Sequence, residues 1–332
     1  MKRLYLTLED GAVFEGTCVN KPTETAGLLS FYTGVVGYQE VITDPANLGK
    51  IILFTYPLVG NYGVNNEDAE SASVKVRGII TKEYPPYYSN FRATGSLADY
   101  LSSYPVVFGT AFDTRAILVY LRDHGEMYAA TAAEPLKQQE VRERARQLAR
   151  ESYLPENTPV TCPWACPRLK ASVVDLGASR SFYKNLAALG VDACCEPDKA
   201  DVVIVSDAPF YEVENTSTVE TVRTATKGRA AVGFGHGAAL LALACGGNVN
   251  RMAFGDHGVN IPVAYVGGGR NEITVQNHIY ETITGDGIEP IFTNIHDGST
   301  EGFYAPSSRA AGAHFLPPPE WFGEMLRMVG VE

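Results

Sequence analysis

Gly233-Phe234-Gly235-His236-Gly237 has the spacing of a nucleophile elbow. Small apolar residues, Ala230 to Val232, precede it as in a buried strand. An apolar run of helical length, Ala238 to Cys245, follows. Strand, tight glycine turn and helix together lift one side chain into a cleft on a strained backbone. A Ser or Cys at the centre of such a turn attacks a carbonyl carbon. The central residue here is Gly235, which has no side chain to attack with. The polar residues available for other chemistry are Asp207, His236, Asp256, His257, His278 and His314. Gathered at one edge, they could do acid–base work or hold a cation. No His-x-His or His-x3-His spacing marks a metal site, so no metal and no cofactor is expected.

The elements that must position these residues read as alternating strands and helices. Ala171 to Leu176 is a strand ending at Gly177, and Ser181 to Leu189 is a helix closed by Gly190. Asp201 to Val205 is a strand, Thr218 to Thr226 a helix, Ala230 to Phe234 a strand and Ala238 to Cys245 a helix. That order predicts a parallel sheet with helices on its faces. Ile261 to Val266 and Glu272 to Val275 suggest an antiparallel extension. In an open α/β sheet the site lies at the C-terminal ends of the strands. Ser206 to Pro209, Gly235 to Gly237 and the turn at Gly177 should therefore crowd one edge.

The first part of the chain differs. Leu4 to Leu8 alternates, turns at Asp10-Gly11 and resumes over Ala12 to Gly16, a hairpin pattern. Lys50 to Tyr56 is rich in β-formers, and Asp113 to His124 has helical spacing. Gln138 to Arg150 reads as a solvated helix. Four prolines between Pro155 and Pro167 mark a linker. The expected organisation is a mixed β/α domain over 1–150, a linker over 151–168 with the boundary near 165, and an α/β domain over 169–332.

Bulk properties narrow the function classes. At 332 residues, two domains are expected, since single cores stop growing near ~250–300 residues. A net charge of −11, with no Lys/Arg run, argues against nucleic acid and anionic membrane as partners. The N-terminus alternates like a strand rather than a signal peptide. No apolar run reaches ~18 residues, so a cytoplasmic protein is expected. Cys18, Cys162, Cys166, Cys194, Cys195 and Cys245 read as free thiols. Cys162 and Cys166 form one Cys-x3-Cys pair with no zinc-like second pair nearby. Cys245, in an apolar helix, reads as buried and inert.

Four segments together are specific: Leu8 to Gly16, Gly37 to Pro45, Thr55 to Asn65 and Phe112 to Ala116. In order, they resemble the small, glutamine-hydrolysing subunit of carbamoyl-phosphate synthase, and the resemblance runs the whole chain. The second half resembles a class I glutamine amidotransferase domain, with Gln276-Asn277-His278 and Asp297 to Gly302 in place. The resemblance implies a flavodoxin-like, mainly parallel sheet for that half. It also implies ammonia release from glutamine by a Cys with a His–Glu pair, and delivery of ammonia to a large ATP-grasp subunit.

Carried over position by position, the resemblance puts that chemistry in doubt. The family's Gly-x-Cys-x-Gly-His-Gln stands here as Gly233 to Ala239, with Gly235 at the Cys and Ala238 and Ala239 at the His and Gln. Its His-Pro-Glu stands as His314-Phe315-Leu316, so His314 has no carboxylate two residues on. Its Asn-Gly-Pro-Gly loop, which supplies backbone groups near glutamine and the oxyanion, is Asp207-Ala208-Pro209-Phe210. Its Asn-Thr-Ser-Met segment, source of a serine hydroxyl, is Tyr32-Thr33-Gly34-Val35. The glycine after Gln-Asn-His is Ile279, followed by Tyr280. Loss of the nucleophile alone costs roughly 10^6 in turnover in a comparable triad. Two readings follow. One is a non-catalytic binding or regulatory subunit that docks on a large ATP-using subunit, or self-associates. The other is a repurposed enzyme acting on a different small molecule through Asp207, His236 and His314.

Overall fold

Leu4, Leu6 and Leu8 are fully buried on one side of β1 (Lys2–Leu8), the period-2 burial that fixes a strand's register. β1 pairs antiparallel with β2 (Val13–Cys18) across the Asp10-Gly11 turn, where Gly11 takes φ +98°. The hairpin opens a closed barrel in a computed structural model describing residues 2–21, 24–148, 168–269, 271–285 and 287–331. The other barrel strands are β3 (Thr25–Tyr32), β4 (Lys50–Phe54), β5 (Gly78–Ile80), β6 (Val107–Thr110) and β7 (Met127–Ala132). They close in the order β1-β2-β6-β5-β4-β3-β7, with parallel pairing from β3 through β6. Three helices, α1 (Tyr38–Thr43), α2 (Leu97–Ser102) and α3 (Thr114–His124), stand between strands. Asp113 caps α3 by accepting from Ala116 N–H at 3.0 Å.

The helix expected to be solvated, α4 (Gln138–Leu148), is amphipathic instead. Val141 and Ala145 are buried, and Val141 packs with Ala26 and Ala130. Val141 and Ala145 fall four apart, on one face.

The chain divides into two compact units, Met1–Ser152 and Tyr153–Glu332. The linker expected over 151–168 falls outside the described residues except for Arg168, and Cys162 and Cys166 fall outside them too.

The second unit begins with β8 (Leu169–Val174), α5 (Arg180–Ala188), β9 (Val191–Asp192) and β10 (Val202–Val205). It continues with α6 (Thr216–Thr226), β11 (Ala231–Phe234) and α7 (His236–Ala244). β16 (Ala310–Ala313), β11, β10, β8 and β9 pair parallel in that order. Val202 to Val205 and Ala231 to Phe234 are buried along their whole length, as strands covered on both faces must be. Beyond β16 the sheet continues antiparallel through β15 (Thr300–Ala305), β14 (Glu289–Asn294), β12 (Asn248–Tyr265) and β13 (Glu272–Ile283). This extension is longer than its sequence signal: β12 spans 18 residues, interrupted by register shifts that break its alternation. The core joins Ile204, Val232, Phe292, Phe315 and Trp321, with α8 (Pro319–Met328) packed on it. Among the described residues, no helix is long and apolar enough to cross a membrane.

Candidate functional site

The turn between β11 and α7 has the backbone of an elbow. Gly235 sits at φ 57° and ψ −134°, a combination that strains any residue with a Cβ. Its N–H donates to Ala313 O at 3.0 Å, which fixes the turn against β16. The flanking glycines are there because backbone comes close. A Cβ on Gly237 would overlap Ser206 O and lie 2.9 Å from Val205 O. One on Gly233 would lie 2.7 Å from Gly237 O.

Gly235 also lacks space for a side chain. A Cβ built there would have Cγ and both oxygens of Asp207 within 2.5 Å. Asp207 follows β10, and its Oδ1 accepts from Ala208 N–H and from His236 N–H, each at 2.8 Å. α7 has no capping side chain of its own at Gly235. Asp207 does that work from the neighbouring strand, placing a negative charge at the positive end of the helix. Burial alone would raise the Asp207 pKa. The His236 ring, the His236 amide and the Ala208 amide override it and hold the carboxyl below the ordinary aspartate range. The group is not sealed off, since 29% of its side chain reaches solvent.

His236 is fully buried. Its Nδ1 donates to Ala208 O at 2.8 Å and lies 3.3 Å from Asp207 Oδ1. The Tyr280 ring meets it edge-on at 6.0 Å, and Tyr280 donates its hydroxyl to Glu214 at 2.8 Å. The turn at Gly177 closes the same edge. Leu176 N–H donates to Ser206 Oγ at 2.9 Å, and a Cβ on Gly177 would lie 3.1 Å from Asp207 O. Asp207, Ala208, Gly235, His236, Gly237 and Tyr280 thus meet at the C-terminal ends of β10 and β11.

His314 follows β16 and lies beside the Gly235 backbone. It has an orienting partner, Thr282 Oγ1 at 3.1 Å from Nε2, although no carboxylate stands two residues on. Its Nδ1 is buried and makes no hydrogen bond of good geometry. Burial, reinforced by the charge on His278, lowers its pKa to about 3, so the ring is neutral at physiological pH. Leu316 packs partly buried against the apolar core.

Behind His314 lies a polar network that sequence reasoning did not assemble. The His278 ring stacks on His314 at 4.7 Å. Its Nδ1 donates to Tyr280 O at 2.9 Å. Its Nε2 faces two acceptors, Gln276 Oε1 at 2.8 Å and Glu301 Oε2 at 3.1 Å. A ring with acceptors on both nitrogens is an imidazolium. Burial opposes that charge, but Glu301 and Asp256 override it and raise the His278 pKa. Burial would raise Glu301 as well, and His278 overrides it, holding Glu301 at about 2. Burial lifts Asp256 to about 6. Asp256, His278 and Glu301 are the described residues that could hold a cation. Asn294 Nδ2 already donates to Asp256 and to Glu301, each at 3.1 Å, so the arrangement is satisfied as a hydrogen-bonded ion pair.

His257 donates from Nδ1 to Asn277 Oδ1 at 2.8 Å on the β12–β13 hairpin. Ile279, Ala239 and Phe210 are buried. Gly34 belongs to the first unit, where the Tyr32 ring fills the space a side chain would take, with Cε1 2.5 Å from a built Cβ. Cys245 is half-buried rather than buried. It lines a cleft of about 400 Å³ at the opposite strand ends, with Arg223, Lys227, Ser308 and Arg309. Arg223 and Arg309 there donate to the carbonyls of Leu243, Ala244 and Val329.

Residues 6–131 match the family described as carbamoyl-phosphate synthase small chain, CPSase domain. The carbamoyl phosphate synthase small chain of Oceanobacillus iheyensis is 31% identical over 333 residues, covering 96% of this chain and 91% of the relative. That of Symbiobacterium thermophilum is 35% identical over 321 residues, covering 89% and 88%. A solved structure of a glutamine amidotransferase from Thermotoga maritima aligns over 45% of this chain and 75% of its own. Its TM-score is 0.35 at 14% identity.

Proposed function

The chain belongs to the carbamoyl-phosphate synthase small-chain family, and from that premise we propose that it has given up glutamine hydrolysis and acts as a non-catalytic binding or regulatory subunit. Its partner would be a large ATP-grasp subunit that draws on free ammonia. One observation carries the reading. The centre of the elbow is Gly235, and the Asp207 carboxylate fills the volume of the side chain that would attack. The neutral, buried His314 and the apolar setting of Leu316 agree with it, since neither supplies a His–carboxylate pair at the turn.

The test mixes the purified chain with a large subunit from its host and supplies either glutamine or ammonia. The two should co-purify, with carbamoyl phosphate formed from ammonia and none from glutamine. Glutamine-dependent product, abolished by His314→Ala, would overturn the reading. Gly235→Cys alone should release no ammonia, because Asp207 obstructs the new side chain and Gly34, Phe210, Ala239 and Leu316 are unchanged. Measurable turnover by that variant would show those contacts to be dispensable.

The approach of His236 to Asp207, 3.3 Å, favours the second reading, a repurposed enzyme acting on another small molecule through the same cleft. A His236→Ala/His314→Ala double variant with no phenotype in the host would eliminate it.

A further inference from the structure

The elbow already binds a carboxylate, and that carboxylate is its own. Asp207 Oδ1 takes one N–H from the loop after β10 and another from the first turn of α7, each at 2.8 Å. The second is the amide that directly follows the centre of the turn. In an elbow that amide faces the oxygen on which negative charge develops. The same carboxylate covers the volume of a side chain at 235. His314, 1% exposed, borders the Gly235 backbone with a buried Nδ1 that makes no hydrogen bond of good geometry. An ordinary capping residue satisfies the helix beside it in sequence. Here the cap comes from 29 residues away and lands in the reaction position.

We infer that the elbow is a carboxylate-binding site which Asp207 occupies from within, and that removing this side chain opens the site to small monocarboxylates such as acetate. The inference rests on the non-catalytic reading of the turn. It adds the ligand class and the group that excludes it. The intact protein should ignore external carboxylates, because two amides that already share one oxygen gain nothing by exchanging it.

Two measurements on the full chain test this. The first follows the backbone amides of Ala208 and His236 by NMR while sodium acetate is added, against sodium chloride at equal ionic strength. In Asp207→Ala both amides should shift and saturate with acetate. In the wild type they should not move. No shift in the variant, an equal shift in the wild type, or an equal response to chloride would each overturn the assignment. The second does not need Asp207→Ala to fold. Gly235→Ala should lower the melting temperature, because its Cβ meets the Asp207 carboxylate. It should lower it less in an Asp207→Gly background than in the wild type. An equal drop in both backgrounds means the carboxylate is not in the way. Ammonia release from glutamine by the wild type would sink the non-catalytic reading through a separate readout. Failure of both measurements here would leave that reading standing.

Discussion

At residue 34 the Tyr32 ring, and at residue 235 the Asp207 carboxylate, stand where a Cβ would go. At both glycines a neighbour's side chain takes the space, so a new side chain at either position would have to displace it. Gly237 shows the opposite constraint, since backbone carbonyls at Ser206 and Val205 leave it no freedom. Gly237→Ala should destabilise the protein by at least about 3 kcal/mol, read by thermal or urea unfolding, because the overlap is with backbone that cannot rotate away. His314 makes a pH prediction. Its folded pKa, about 3, lies below the ordinary value of 6.5. Between those values the unfolded chain binds the proton and the folded chain does not, so stability falls as the pH drops from 6.5 toward 3. At ~1.4 kcal/mol per unit the loss approaches roughly 4 kcal/mol. His314→Asn should flatten that part of the urea-unfolding profile. His278 works with the opposite sign. Its raised pKa gives stability that is present in acid and is lost as the pH rises through that value.

At the scale of elements, strands and helices with uninterrupted local patterns were legible and those defined by long-range pairing were not. β1, β2, α3, α5 and the alternation from β8 to α7 follow from period, caps and glycines close in sequence. Asp113→Ala should therefore cost about 1 kcal/mol by removing the cap on Ala116 N–H, measured as a shift in the denaturation midpoint. β12 was only half legible, because its register shifts hide the period that marks a strand. The elbow was legible for a different reason. Its glycines sit at the centre of the turn and two residues to either side, while Asp207 reaches it from another strand. No local signal links residue 207 to residue 235, nor His278 to Glu301, so the filled site and the buried ion pair emerge only once β10 pairs with β11 and the folded sheet brings β13 near β15.

For the whole molecule, each unit has its own apolar core, one around Ile42, Phe54, Val106 and Phe108 and the other around Phe234, Phe292 and Trp321. Calorimetry should resolve separate contributions from them. Phe292 is fully buried and stacks on Trp321 at 4.7 Å. Phe292→Ala should cost the second unit about 3–5 kcal/mol and leave the transition of the first unmoved. A single transition shifted as a whole would show that the two cores melt together.

The closed barrel has a consequence in time. β7 pairs with both β1 and β3, so the ring has no seal until residues 127–132 exist. At roughly 5–20 residues per second, on the order of ten seconds of translation pass while Leu4, Leu6 and Leu8 wait for their partners. Once β6 joins β2 to β5, the nascent first unit is an open sheet until its last strand arrives.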